Sequence, residues 1–225
     1  MGLIGGSYAK ALRRLGVKKI IGVDTDGKVL RQAQEQAVID EALCGAGLGL
    51  QAADVVICSV YPAATLDFVK SAVPFLKSDV LITDATGIKG SLPEDVQRLL
   101  TGRMEFIAGH PMAGRQGSGF GMSQAEIFDG ANYIVVPAAF NSSGAIEWLS
   151  SFAGAIGCGQ VVQVDAVEHD RIIAYTSNLP HALAVALINS ASYNENTKYF
   201  IAGSFRDGTR VADINPYLWS DLFLA

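Results

Sequence analysis

The sequence predicts an α/β domain built on a parallel sheet and followed by an all-α domain. Up to residue 165, apolar runs of strand length alternate with longer amphipathic segments, which is typical of βα units. After residue 165 the alternation stops, and the apolar residues follow helical spacing. We therefore expect a sheet-containing domain over residues 1–165 and a helical domain over residues 166–225.

The bulk composition excludes several classes of protein. Half of the 225 residues are apolar, so the chain can bury a substantial core. Only 17% are charged and the net charge is −5, which argues against nucleic acid as a partner. No apolar run approaches the roughly 18 residues that a membrane span needs, and the N-terminus lacks a cleavable signal pattern. Three cysteines without C-x-x-C spacing read as reduced structural thiols, so we expect a cytoplasmic protein.

The first element is a glycine-rich turn that opens a helix, "MGLIGGSYAKALRRLG". Gly2 and Gly5 fit the second and third glycines of G-x-G-x-x-G, which let the backbone approach a pyrophosphate at a helix N-terminus. The helix is expected to end at Gly16, and the strand "KKIIGVD" follows it and ends at Asp24. A carboxylate at this point accepts hydrogen bonds from ribose hydroxyls and repels a 2′-phosphate, which favours NAD over NADP.

This pattern predicts a Rossmann-type, doubly wound sheet. The predicted cofactor-binding residues of the turn and strand are Gly2, Leu3, Ile4, Gly5 and Asp24. The first glycine and the first strand of the motif are missing from the sequence, although that strand is central in the order 3-2-1-4-5-6. We therefore expect the functional gene product to start upstream, or the chain to be a fragment.

The remaining elements of this domain follow in order. Strands are predicted at "ADVVICSV", "DVLITDA", "MEFIAGH", "NYIVVPA" and "QVVQVD", and helices at about 26–37, 63–76, 92–101 and 143–155. Ser91 and Glu94 have the spacing of a capping box for the third helix. Ser59, Val60 and Tyr61, at the end of the first of these strands, are expected to border the cofactor, because ligands gather at the carboxyl ends of strands.

The helical domain begins with "AVEHDRIIAYTSNLPHALAVALINSASYNENTKYFIAG", which contains no convincing strand. Pro180 is expected to start, bend or restart a helix within it.

All three histidines lie in distinctive segments. His110 follows the strand "MEFIA", where a neutral imidazole could take a hydroxyl proton during hydride loss. A hydrogen-bonded structural histidine in a tight G-H-P turn is the other reading, and spacing alone leaves both open. His169 reads as part of the first turn of a helix, and His181 cannot be placed from the residues alone.

Five motifs together carry a family resemblance: "GLIGGSYAKAL", "TDATGIK", "GHPMAGRQGSG", "HD" with "SNLPHALAVAL", and "FRDGTRVADINPYLWSDLF". In order and spacing they resemble the prephenate dehydrogenase family of tyrosine biosynthesis, over essentially the whole chain. The resemblance implies oxidation of prephenate by NAD to 4-hydroxyphenylpyruvate, carbon dioxide and NADH. It also implies a homodimer formed through the helical domain, whose further helices in family members lie beyond Ala225.

The resemblance assigns catalytic roles to two residues. His110 matches the histidine that hydrogen-bonds the ring hydroxyl of the substrate and accepts its proton. Relatives often place a serine near the position of Gly87, where it can orient that histidine. Because Thr86 stands beside Gly87 here, we assign the supporting role to Thr86.

The substrate-binding residues implied by the resemblance lie mostly in the helical domain. Arg210 matches an arginine that holds a substrate carboxylate, which suits its planar guanidinium. His181 matches a second histidine on the substrate side, and Trp219 an apolar wall that could equally be core. Gln116 stands where some relatives carry a glutamate. The predicted set is Gln116, Ser177, His181, Arg210 and Trp219, with no metal site.

Three alternatives remain beside prephenate oxidation. An arogenate dehydrogenase performs the same chemistry on a substrate with an amino acid side chain, and the sequence does not separate the two. A nucleotide-binding fragment with impaired catalysis is less favoured. A 3-hydroxy acid dehydrogenase would need a lysine base in the helical domain, where this chain supplies "NLPHA" and "FRDGTR".

Overall fold

The computed structural model describes residues 1–115, 117–212 and 219. The chain divides into two compact units, Met1–Ala166 and Val167–Ala225. Each unit is described by itself below. Within the described residues, no helix is both long enough and apolar enough to cross a membrane.

Unit 1 is an α/β domain with helices between most of its strands, as predicted. Its strands are β1 (Ile21–Val23), β2 (Glu41–Leu43), β3 (Val55–Cys58), β4 (Leu81–Asp84), β5 (Glu105–Pro111), β6 (Asn132–Val136) and β7 (Gln160–Gln163). Its helices are α1 (Leu3–Arg14), α2 (Gly27–Glu35), α3 (Pro62–Ala72), α4 (Leu92–Leu99) and α5 (Ser143–Ala155), and α6 (Ala166–Ile173) begins where the unit ends.

The strands form two sheets. A sheet of five strands has the order β3-β4-β5-β6-β7, and β1 pairs with β2 in a separate sheet of two. Strand β2 was not predicted from the sequence, because Glu41–Leu43 is only three residues long and has no buried face to create an alternating pattern.

The sheet is parallel, as predicted, except between one pair of strands. Strand β6 runs antiparallel to β5, with His110 opposite Ile134 and Pro111 opposite Tyr133. The chain between these strands forms only 3-10 turns, at Phe120–Met122 and Ala125–Phe128, in its described part. An antiparallel neighbour does not require the crossover helix that a parallel one needs. The other strand pairs are parallel.

The ends of two helices test the capping predictions. Gly16 follows the end of α1 with a φ of +76°, a left-handed conformation that glycine adopts without strain, as expected at this point. The capping box at Ser91 is wrong. Ser91 Oγ donates to Asp95 Oδ2 at 2.6 Å, and the Ser91 side chain makes no capping hydrogen bond to α4.

Apolar side chains from both faces of the sheet form the core of unit 1. The helix α5 packs against β5, β6 and β7, while α3 and α4 cover the other part of the sheet. Tyr8 of α1 is buried in the first cluster, beside Phe128 and Phe152. Because helices pack against the sheet on these strands, the carboxyl ends of β3, β4 and β5 are held in fixed positions at one edge.

The regular elements of unit 2 are all helical in its described residues. After α6 the chain forms a π-helical turn at Ala174–Asn178 and continues as α7 (Leu179–Ile188), with Pro180 in its first turn. Helix α8 (Gly203–Thr209) follows, with a 3-10 turn at Arg210–Ala212 that packs against α7. Pro180 lacks an N–H, and it restarts the helix after the π-helical turn, as expected.

Candidate functional site

The glycine turn lies at the N-terminus of α1 and leaves this helix end uncovered. Gly2 is the N-cap of α1. No side chain makes a capping hydrogen bond there, and the first turn contains no acidic residue. A Cβ at Gly2 would meet nothing within 4 Å, so the backbone here is open. Free first-turn N–H groups and the positive end of the helix dipole suit a pyrophosphate.

Asp24 immediately follows β1. Its carboxylate accepts from the Asp26 N–H at 2.8 Å and from the Met1 amino group at 2.5 Å. Partial burial opposes ionisation and is the largest single influence. The hydrogen bonds from Asp26, Met1 and Thr25, with the Met1 charge, outweigh it and lower the Asp24 pKa. The side chain is therefore an ionised acceptor at neutral pH.

The end of β3 adjoins the glycine turn. A Cβ at Gly5 would lie 3.3 Å from Ser59 Cβ, which brings the two segments into van der Waals range. The Ser59 hydroxyl is buried and has no hydrogen-bond partner among the described residues. Val60 and Tyr61 are exposed. An unsatisfied hydroxyl beside an open helix N-terminus fits a bound polar group such as a dinucleotide.

His110 lies in β5 at the same edge of the sheet. A Cβ at Gly87, in the loop after β4, would be 3.8 Å from His110 Cε1 and 3.9 Å from Nε2. Strands β4 and β5 are parallel, so the loop after β4 reaches the imidazole directly. The structure thus brings Gly5, Ser59, Gly87 and His110 to one edge of unit 1.

The Thr86 hydroxyl, which is expected to support His110, makes hydrogen bonds to residues of its own loop. Its hydroxyl lies against Asp84 Oδ2 and 3.0 Å from the Ile88 carbonyl, and it accepts from Lys89 Nζ at 3.2 Å. These contacts use the hydroxyl's hydrogen-bonding capacity. Thr86 belongs instead to a buried polar cluster beneath the loop.

The centre of that cluster is an ion pair that the sequence did not reveal. Lys89 Nζ lies 2.7 Å from Asp84 Oδ2, and both side chains are 0% exposed. The same ammonium donates to the Gly109 carbonyl at 2.7 Å, and Asp84 Oδ1 accepts from the Gly109 N–H at 3.0 Å. A lysine in the apolar context "GIKG", five residues after an aspartate that ends a buried strand, was the available signal.

Unit 2 brings the predicted substrate residues Ser177, His181 and Trp219 together. His181 Nδ1 lies 2.8 Å from the Ser177 carbonyl, so this nitrogen carries the proton and donates. The imidazole also stacks on Trp219, with ring centroids 3.8 Å apart. Arg210 is exposed in the 3-10 turn that packs on the helix bearing His181.

Two further points concern the predicted site. Gln116 lies outside the described residues. Within the part of the chain that the structure describes, no group of three or more His, Cys, Asp or Glu side chains could hold a metal ion.

Comparisons with known proteins find one family over nearly the whole chain. Residues 8–162 match the family model "Prephenate dehydrogenase, nucleotide-binding domain", and residues 165–225 match "Prephenate dehydrogenase, dimerization domain". The prephenate dehydrogenase of Bacillus subtilis is 32% identical over 230 aligned residues, which cover the whole chain and 62% of that protein. The chain thus spans about three fifths of the length of this relative.

Two solved structures are similar over nearly the whole chain. The prephenate dehydrogenase from A. aeolicus, solved with hydroxyphenyl propionate and NAD+, is 31% identical with a TM-score of 0.89. The match covers 99% of this chain and 79% of that one. The Synechocystis arogenate dehydrogenase is 28% identical with a TM-score of 0.83, over 99% and 80% of the two chains.

Proposed function

The chain belongs to the prephenate dehydrogenase family, and from that premise we propose that it oxidises and decarboxylates prephenate with NAD. The products are 4-hydroxyphenylpyruvate, carbon dioxide and NADH. The observation that carries the proposal is the placement of the His110 imidazole beside Gly87, at the sheet edge that also holds the open N-terminus of α1 and the unpartnered hydroxyl of Ser59.

The proposed cofactor residues bind different parts of the dinucleotide. The N–H groups at the start of α1 face the pyrophosphate, with Gly2, Leu3, Ile4 and Gly5 forming the turn. Asp24 accepts from the ribose hydroxyls, and its ionised carboxylate disfavours a 2′-phosphate. Ser59, Val60 and Tyr61 border the bound molecule. When bound, NAD+ supplies the acceptor for the hydride that leaves the ring carbon.

The substrate chemistry requires one base and at least one cation. Neutral His110 accepts the proton of the ring hydroxyl as the carbonyl develops. Loss of the ring carboxylate then restores aromaticity, which drives decarboxylation. Arg210 holds a carboxylate of the substrate through its guanidinium. The other proposed substrate contacts are His181, Ser177, Trp219 and Gln116. Thr86 contributes through the buried cluster below Gly87.

Arogenate is the second candidate substrate. The similarity to the Synechocystis arogenate dehydrogenase favours testing it, because the two substrates differ only in the side chain remote from the reacting ring. We also propose that the chain forms a homodimer through residues 166–225, which match the family's dimerization domain, and that it works in the cytoplasm.

The experiment combines two substrates with two dinucleotides. NADH formation is measured by absorbance with prephenate and with arogenate, and each is repeated with NADP+. We expect turnover of prephenate with NAD+ to exceed the other three combinations. Turnover of arogenate but not of prephenate would make arogenate the substrate. No turnover of either compound would refute the proposed function.

The role of His110 is tested with His110→Asn. Removal of the base should lower kcat by about 10²-fold or more while leaving prephenate binding, measured by calorimetry, within about threefold. Unchanged kcat would show that His110 is not the base. Lys77→Met serves as a control, because Lys77 pairs with Asp54 at the exposed start of β3.

A further inference from the structure

Asp84 and Lys89 make none of the substrate or cofactor contacts proposed above, yet they form the most completely buried ion pair among the described residues. A buried ion pair is weak evidence for stability, because desolvation offsets its attraction and apolar replacements are often as stable. Its persistence here therefore calls for another explanation, which the contacts of the pair supply.

Both members of the pair bind the backbone of one residue, Gly109. Alternate residues of a strand direct their backbone groups to the same side. The Glu105 N–H donates to Val80 ahead of β4, so Gly109, four residues later, also faces the β4 side. The β4–β5 ladder ends at Thr83 and Ile107. Beyond it, the Asp84 carboxylate and the Lys89 ammonium replace the missing backbone partners of Gly109.

The contact made by Lys89 reaches the peptide that carries His110. The Gly109 carbonyl belongs to the same planar peptide unit as the His110 nitrogen, so fixing one fixes the other. A Cβ at Gly109 would come within 2.6 Å of Tyr133 Oη, so the Tyr133 side chain covers Gly109 at close range. The backbone immediately before the imidazole is thus hydrogen-bonded to the ion pair on its β4 side and covered by Tyr133.

We propose that Lys89 and Asp84 are positioning residues that hold the His110 imidazole in its reactive orientation through the backbone of Gly109. This proposal rests on the proposed function of His110 as the base. It assigns to a buried ion pair the task for which Thr86 was considered, and at Gly87 no side chain exists to orient the ring. A displacement of about 1 Å in a catalytic group costs about 10²-fold in rate.

The test uses Asp84→Asn combined with Lys89→Met. The double variant leaves no unpaired buried charge, and the amide oxygen introduced at position 84 can still accept from the Gly109 N–H. The variant removes the ammonium contacts to the Gly109 carbonyl and to the Thr86 hydroxyl. It also removes the acceptor of the Thr86 N–H, because the amide nitrogen takes the place of Asp84 Oδ2. We expect a cooperative thermal transition, a kcat lower by about 10- to 100-fold, and a KM for NAD+ within about twofold of wild type. Lys77→Met again serves as the matched control for a lysine in an exposed pair.

The outcomes separate this proposal from the proposed function. A double variant with kcat within twofold of wild type would overturn the positioning role alone. Loss of the cooperative transition would also overturn it, because the pair would then be a requirement of folding.

A second readout does not depend on turnover. In protein labelled with ¹⁵N-histidine, the ring signals of His110, assigned through His110→Asn, should shift or broaden in the double variant, while those of His169 and His181 stay in place. Unchanged His110 signals would overturn the proposal even if the wild type turned over neither substrate.

Discussion

The three cysteines show how strongly the reactivity of a side chain depends on its surroundings. Cys58 ends β3 in a core cluster, where burial, reinforced by the charge of Asp84, raises the thiol pKa to about 12. Burial, with a smaller contribution from Asp129, raises the pKa of Cys158 to about 11. Cys44 is exposed. Since the thiolate is the reactive form, the three residues should differ widely in reactivity.

Thiol labelling at pH 8 tests this order. With a chromogenic disulfide reagent, we expect one fast equivalent from Cys44, a much slower one from Cys158, and labelling of Cys58 only after unfolding. The absorbance time course gives the phases, and Cys44→Ser should remove the fast one. A fast phase that survives in Cys44→Ser would contradict the assignment.

At the same scale, the sequence indicates which residues belong to the candidate site but not how the site is built. The glycine turn, Asp24 and His110 could be found because their residue types are tied to a chemistry and a spacing. The roles of Asp84 and Lys89 could not, because they depend on which backbone groups remain unpaired where β4 leaves β5. That is a property of register, and register is not visible in a single sequence.

Among the elements, α1 shows how close packing supports an otherwise open binding turn. Gly6 lies one turn inside the helix, and a Cβ there would fall 2.7 Å from Ser123 Oγ and 2.8 Å from Phe120. Helix α1 therefore approaches the 3-10 turn at Phe120–Met122 more closely than any side chain at this position permits. This contact fixes the direction of the helix N-terminus.

Gly6→Ala should consequently destabilise the protein by about 1–3 kcal/mol through overpacking. Gly154→Ala is the matched control, because Gly154 is exposed near the end of α5 and a Cβ there meets nothing within 4 Å. In that position the substitution should stabilise by up to about 1 kcal/mol. Urea unfolding monitored by circular dichroism measures both, and equal effects of the two substitutions would exclude the close packing.

The elements also show where sequence patterns reach their limit. The helices predicted at 26–37, 63–76, 92–101 and 143–155 match α2, α3, α4 and α5 to within a few residues. The strand cores were found because buried β-branched runs are distinctive. The direction of β6 was not predictable. An apolar run reads the same in both directions, and the short turns before it do not form a crossover helix.

For the whole molecule, one exposed ion pair joins three distant parts of unit 1. Arg14, at the end of α1, donates to both carboxylate oxygens of Asp129 at 2.8 and 3.2 Å, and to the Ile156 carbonyl after α5 at 2.8 Å. The hydrogen bond from Arg14 is the main reason that the Asp129 pKa is lowered. A lowered pKa stabilises the fold above the pKa of the unfolded chain, about 3.9, and this contribution is lost as the pH falls through the folded value.

Asp129→Asn should therefore lower Tm at pH 7, by no more than about 3 °C for so exposed a pair, and the difference from wild type should shrink as the pH falls below about 4. Asp79→Asn is the control, because Asp79 and Arg103 are both highly exposed and 3.4 Å apart. Calorimetric scans between pH 3 and 7 measure the difference. A Tm difference that grows as the pH is lowered would contradict the predicted direction of the effect.

Self-association is the second prediction at this scale. Helix α7 exposes Leu179, Leu183 and Leu187, spaced four residues apart on one side, and Leu183 is 61% exposed. If residues 166–225 form the homodimer, Leu183→Glu should shift the sedimentation coefficient towards the monomer. Leu48→Glu, at an exposed leucine of unit 1, should not. A monomeric wild type, or a dimer that Leu183→Glu leaves intact, would exclude this surface.

The ion pair of Asp84 and Lys89 also constrains how this sequence can change over generations. Removing either partner alone leaves the other as an unpaired buried charge, which lowers the stability of the fold by about 3–5 kcal/mol. Replacing both together avoids this cost. Single-step mutational paths through these positions are therefore closed, and relatives should carry both charges or neither. The two positions are expected to covary as a unit, independently of the residue at position 87.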